Sequence, residues 1–175
     1  MATNLQFIKS VSGTDVSSLS ITGFTAEYNV YAIHTPQLIQ AGNNDIRARF
    51  IDNSGSVISA SEYDFASLVM NSQSSFSEGK DTSATSIDNL GVNDQNETYG
   101  VGSTTYIFNP ADSASFTFLM SQNVGMRDIG ELRPYKLIAV HRVAETITGY
   151  NIFGESGGNI SAKMVLYGVK WWQVV

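Results

Sequence analysis

Ile160-Ser161-Ala162-Lys163-Met164-Val165-Leu166-Tyr167-Gly168-Val169-Lys170-Trp171-Trp172-Gln173-Val174-Val175 is the stretch on which the fold turns. It runs sixteen residues without a proline, and the alternation of extended backbone sorts its side chains into two rows. One row, Ile160, Ala162, Met164 and Leu166, is apolar as far as Gly168. The other begins with Ser161 and Lys163 and turns apolar at Val165, Tyr167 and Val169. The pattern predicts a strand covered on one face at its start and on both faces later, hence a central strand or an edge that meets another subunit. Phe153-Gly154-Glu155-Ser156-Gly157-Gly158-Asn159 supplies the turn that delivers it.

Working outward, other segments read the same way. Leu5 to Lys9 and Val16 to Ile21 alternate loosely about Ser12-Gly13-Thr14-Asp15, which predicts two short strands and a turn. Glu27 to His34 is β-branched and aromatic on both parities and stops near Pro36. In Asp45 to Ile51 the apolar residues Ile46, Ala48 and Phe50 point inward and Arg47 and Arg49 outward, and Asp52-Asn53-Ser54-Gly55 follows as a turn. Ser61 to Met70 leans to strand. Residues 71–96 are dominated by serine, aspartate and asparagine, with Phe76, Ile87, Leu90 and Val92 as apolar punctuation. They predict a polar surface excursion with one or two short strands. Thr104 to Phe108, Ala114 to Met120 (Phe116 and Phe118 sharing a face), Leu137 to Val143 and Thr146 to Phe153 complete the set. No segment of ten residues keeps a helical period. The sum is an all-β protein: one domain over residues 1–175, an antiparallel β-sandwich of about eight to ten strands.

Composition narrows the function classes. Charged residues make up 15% of the 175 residues, against about a quarter in ordinary globular chains. The net charge of -6 carries no lysine or arginine cluster, so nucleic acid is not an expected partner. Cysteine is absent, which excludes disulfides and thiolate chemistry. Met1 to Gly13 lacks the pattern of an export signal, and no apolar run is long enough for a membrane-spanning helix. The expectation is a chain made in the cytoplasm, not exported, with no membrane partner.

Tyr28-Asn29-Val30-Tyr31, Asp45-Ile46-Arg47-Ala48-Arg49-Phe50 with Asp52-Asn53-Ser54-Gly55, Ser61-Glu62-Tyr63, and Ser156-Gly157-Gly158-Asn159-Ile160 leading to Leu166-Tyr167-Gly168-Val169-Lys170 together resemble a group of tailed-phage virion proteins. In that group a strand ending in a Leu-Tyr-Gly-Ile/Val-Lys-like sequence closes a jelly-roll-like sandwich. The resemblance implies a non-enzymatic structural component of the particle: a capsid decoration protein, a head fibre or part of a tail fibre. Its expected partners are further copies of itself, a trimer being the expectation, and capsid or tail proteins of the same phage. A receptor- or carbohydrate-binding module facing a host glycan is the alternative. The group supplies no ligand-binding residue to carry over.

Other motifs have competing readings. Gly154-Glu155-Ser156-Gly157-Gly158 resembles the Gly-Asp-Ser-Gly-Gly nucleophile loop of chymotrypsin-like proteases, with His34 as a conceivable base. However, His34 lacks the Ala-Ala-His-Cys context, and only nineteen residues follow Ser156, too few for the rest of a second barrel. Asp52-Asn53-Ser54 and Asn93-Asp94-Gln95-Asn96-Glu97 are oxygen-rich enough for calcium but complete no EF-hand. His34 and His141 are too few for a transition-metal site without carboxylates that the sequence cannot locate. No cofactor, metal or catalytic residue is therefore expected. Trp171 and Trp172 point to opposite sides of one strand, so at least one must meet something outside a single core. Trp171, Trp172, Arg47 and Arg49 are the expected interface residues.

Overall fold

The computed structural model describes residues 4–40, 45–91, 100–127 and 131–170. These residues form thirteen strands and one short 3-10 turn. In chain order the strands are β1 (Leu5–Val16), β2 (Ser18–Thr22), β3 (Val30–Gln40), β4 (Ile46–Asp52), β5 (Tyr63–Val69), β6 (Ser77–Ala84), β7 (Ile87–Gly91), β8 (Val101–Phe108), β9 (Thr117–Arg127), β10 (Glu131–Leu132), β11 (Tyr135–His141), β12 (Ile147–Gly154) and β13 (Ile160–Val169). The protein is an all-β, antiparallel two-sheet structure. One sheet has nine strands, ordered β1-β13-β3-β8-β9-β11-β5-β6 with β10 on β9; the other has four, ordered β2-β12-β4-β7.

The closing strand is central, between β1 and β3. Its row Ile160, Ala162, Met164, Leu166 is buried, facing the small sheet, whose own inner row includes Ile46, Ala48, Phe50, Tyr150 and Ile152. Gly168 explains the glycine in its motif: a Cβ there would lie 2.5 Å from the ring of Tyr28. The Tyr28-Asn29-Val30-Tyr31 and Leu166-Tyr167-Gly168 segments are therefore two halves of one contact. Tyr28 and Tyr31 meet edge to face at 5.6 Å, and the Tyr31 hydroxyl donates to the Thr25 carbonyl at 2.8 Å.

Three local expectations need correction. Ser12 to Asp15 does not turn the chain. β1 runs through it, because β13 is long enough to pair with both halves. One extra residue is absorbed as a bulge between Gly13 and Val16. Asp15 takes φ 53° there, held by its amide on Ser161 Oγ (3.0 Å) and its carboxylate on Asn159 Nδ2 (2.9 Å). Nor does Pro36 end β3. It sits in a second bulge, between Thr35 and Leu38, where its missing amide costs no ladder bond. Finally, the polar stretch after residue 71 holds two short strands within the expected one or two, β6 and β7, but it is not all surface: Ile87 and Leu90 of β7 are buried in the core; residues 92–96 lie outside the described residues.

Between the sheets, beyond β8, the core becomes partly polar. Thr105 and Ser121 share a hydrogen bond of 2.9 Å. Asn89 of β7, at φ 62°, donates through Nδ2 to Ser67 Oγ at 3.0 Å, and the Asn123 Oδ1 accepts from the Tyr135 amide at 3.2 Å. Buried polar groups need such partners. Here they link β8 to β9, β9 to β11 and β5 to β7, and Asn123 Nδ2 donates to the Asn89 carbonyl at 3.4 Å to join β9 to β7.

Candidate functional site

Arg47 and Arg49 do point outward from β4, as their parity requires, but both are engaged within the chain. Arg47 Nε lies 3.0 Å from Asp88 Oδ1, and its Nη2 donates to Glu155 Oε1. Burial pushes the Asp88 carboxyl up despite the pull of Arg47 in the other direction. Arg49 Nε donates to the Thr85 carbonyl at 2.9 Å, and its guanidinium lies 4.6 Å over the Phe153 ring. The two arginines clamp the outer face of the small sheet to the β6–β7 connection and to the turn before β13. Trp171 and Trp172 lie outside the described residues.

The protease constellation is not brought together. Ser156 sits in the turn between β12 and β13 at φ 55°. A Cβ on the nearby Gly154 would lie 2.9 Å from Gln40 Nε2, which puts this turn at the Gln40 end of β3. His34 lies six residues back along that strand, on the order of 20 Å of extended chain. Its ring packs on Tyr167 at 5.4 Å. The Asp52 loop is satisfied by its own chain: Oδ1 accepts from the Ser54 amide (2.8 Å), the Ser54 hydroxyl (2.6 Å) and the Ser56 amide (2.9 Å). Those donors hold the Asp52 carboxyl below its usual range and take up its Oδ1. Residues 93–97 lie outside the described residues.

What parity in single strands did not reveal is the outer face of the nine-stranded sheet. Register places Phe7, Tyr167, Ala32, Tyr106, Met120, Ile138, Ala66 and Lys80 side by side across β1, β13, β3, β8, β9, β11, β5 and β6. Seven of the eight are apolar or aromatic, and the charge comes only at the β6 edge. A second row beside it holds Val30, Phe108, Phe118, Val140 and Asp64. Phe7 is 55% exposed, Phe118 45% and Ile138 63%. Phe116 and Phe118, expected to share a face, are both exposed. With strands about 4.8 Å apart, the apolar part of the first row is roughly 29 Å long and that of the second roughly 14 Å, together a footprint on the order of 350 Å². The largest apolar patch on an ordinary monomer is about 300–600 Å² and is often functional; this band is of that size.

The ends of the sheet are less suited to pairing. β6 carries Glu78, Lys80 and Asp81 on an exposed edge, and β1 carries two register shifts; charge and bulges both discourage edge-to-edge addition. Contact through the face is left as the favourable mode. No protein-family model, curated protein or solved structure matches the chain.

Proposed function

We propose that this chain is a non-enzymatic structural component of a bacteriophage particle, built on a jelly-roll frame and held in place by the outer face of its long sheet. The frame reading rests on nested pairing. The first strand pairs with the last (β1 with β13) and the second with the last but one (β2 with β12). β3 and β4 then lie on the far sides of β13 and β12, and β8 and β7 beyond them. Two interlocked Greek keys give that order, with β5, β6 and β9 to β11 as insertions that widen one sheet. Jelly rolls occur in viral capsid and lectin domains, and a frame alone does not decide between functions.

The observation that carries the reading is the apolar band. Two like rows are complementary to each other without any charge match, so its occupant is a second copy of the chain. A footprint on the order of 350 Å² falls short of the ~800 Å² per partner of a stable pairwise complex. Such a contact is weak alone and strong when repeated copies are held on one particle. This fits the virion role implied by the resemblance. Light scattering of the purified protein, with and without empty capsids of the parent phage, tests it. Concentration-dependent association and co-sedimentation with capsids are expected. A protein that stays monomeric at every concentration and remains in the supernatant overturns the reading.

A further inference from the structure

His141 closes β11, and its imidazole is wholly buried, meeting Tyr63 at 5.3 Å and Phe50 edge to face at 6.2 Å. Its Nε2 faces two carboxylates. Glu62, one residue before β5, brings Oε2 to 3.1 Å, and Glu145, in the β11–β12 connection, brings Oε1 to 3.5 Å. The three ligand atoms lie within 4.8 Å of one another. One ring nitrogen carries at most one hydrogen, so it can satisfy only one of the two carboxylates by a direct bond. Among the described residues no lysine or arginine pairs with either glutamate. The adjacent Arg142 is committed to Asp64 (3.0 Å) and Ser83 (2.8 Å).

We propose that Glu62, His141 and Glu145 form a binding site for a divalent cation of the zinc class. The nitrogen-to-oxygen distances bracket the edge, about 3.3 Å, of a tetrahedron whose bonds are about 2.0 Å. Calcium and magnesium take shells of oxygen alone, whereas one imidazole with two carboxylates suits zinc or a neighbouring transition metal. Both carboxylates are about one-third exposed, which leaves the fourth position open to water or to a ligand from a neighbouring molecule. The ion would neutralise the pair of carboxylates and pin the β11–β12 connection to the start of β5. His141 Nδ1 has no hydrogen-bond partner. The site therefore lacks the outer support that strengthens metal-bound imidazoles, and its affinity should be some 10–100-fold below that of a fully supported site.

The test uses the full chain stripped with a chelator and titrated with zinc, read by native mass spectrometry and by thermal melting. One zinc per chain and a melting temperature that rises with zinc are expected, with no rise for magnesium or calcium. Glu62→Gln and Glu145→Gln should each weaken zinc binding by at least about tenfold while leaving the melting temperature of the metal-free protein nearly unchanged. His141→Ala opens a cavity in the core, so the glutamate variants carry the test. Zinc binding that is absent in the parent chain, or unaltered in both glutamate variants, overturns the proposal.

Discussion

Two rows on opposite faces of the nine-stranded sheet differ in the opposite sense to their burial, although the neighbouring inner row, Tyr31, Ile107, Leu119, Ala139 and Phe65, is apolar and buried as a core row should be. On the inner face one row runs Leu166, Ile33, Thr105, Ser121, Leu137, Ser67 and Gly79. On the outer face, one position along each strand, Phe7, Tyr167, Ala32, Tyr106, Met120, Ile138 and Ala66 are aligned. By residue type the outer row is the more apolar of the two, yet the inner row is the one covered by the small sheet. The difference teaches that side-chain hydrophobicity reports contact with something, and that the something need not be in the same chain. The inner row tolerates hydroxyls because Thr105 and Ser121 bond each other and Asn89 of β7 donates to Ser67. In the outer row Ala32 is buried, but Phe7, Met120 and Ile138 are exposed.

If that distinction is right, truncating an inner apolar residue should cost most. Leu166→Ala removes a fully buried side chain between the sheets, and a loss of about 2–5 kcal/mol is expected from chemical denaturation. A loss below about 1 kcal/mol would mean that the sheets are not packed as described. The polar part of the inner face should be of intermediate worth. Asn89→Gly keeps the backbone free to hold its positive φ but removes the amide that donates to Ser67 Oγ. The expected cost is about 1–2 kcal/mol, from the lost hydrogen bond together with the added freedom of the unfolded chain. A neutral result would show that the polar row is satisfied without β7.

The inner row of β13 was legible from sequence because Ile160, Ala162, Met164 and Leu166 alternate with Ser161 and Lys163, so only one parity could be the core. β9 offered no such contrast. Phe118 and Met120 alternate with Leu119 and Ser121, and which row faces inward depends on where β7 lies. β7 comes from a serine- and asparagine-rich stretch that reads as surface. Bulges hid two more features, since a bulge lets a strand continue through Asp15 or Pro36 where local turn chemistry says stop. The partners of Arg47 were invisible for a different reason: Glu155 is 108 residues away in sequence, and only the pairing of β4 with β12 brings the turn that carries it alongside. Glu62 and His141, 79 residues apart, meet for the same kind of reason, through the register that sets His141 opposite Tyr63. The sequence reading could name the histidine but not find its carboxylates.

The sharpest test of the two-face comparison has the smallest effect on folding. Ile138 lies in the outer row between Met120 and Ala66 and is 63% exposed in the single chain, so Ile138→Lys should change the stability of the monomer by no more than about 0.5 kcal/mol. The same change places a charge within the apolar band, where a second copy would have to bury it without a partner. Burying an unpaired charge is far more costly than losing one apolar contact. Association measured by light scattering should therefore fall at least about tenfold, the equivalent of 1.4 kcal/mol, with the denaturation midpoint of dilute protein hardly moved. If instead Ile138→Lys destabilises the monomer as much as Leu166→Ala does, the outer row is covered by the chain itself. If neither association nor stability changes, the band contacts nothing, and a docking role has to be sought elsewhere on the molecule.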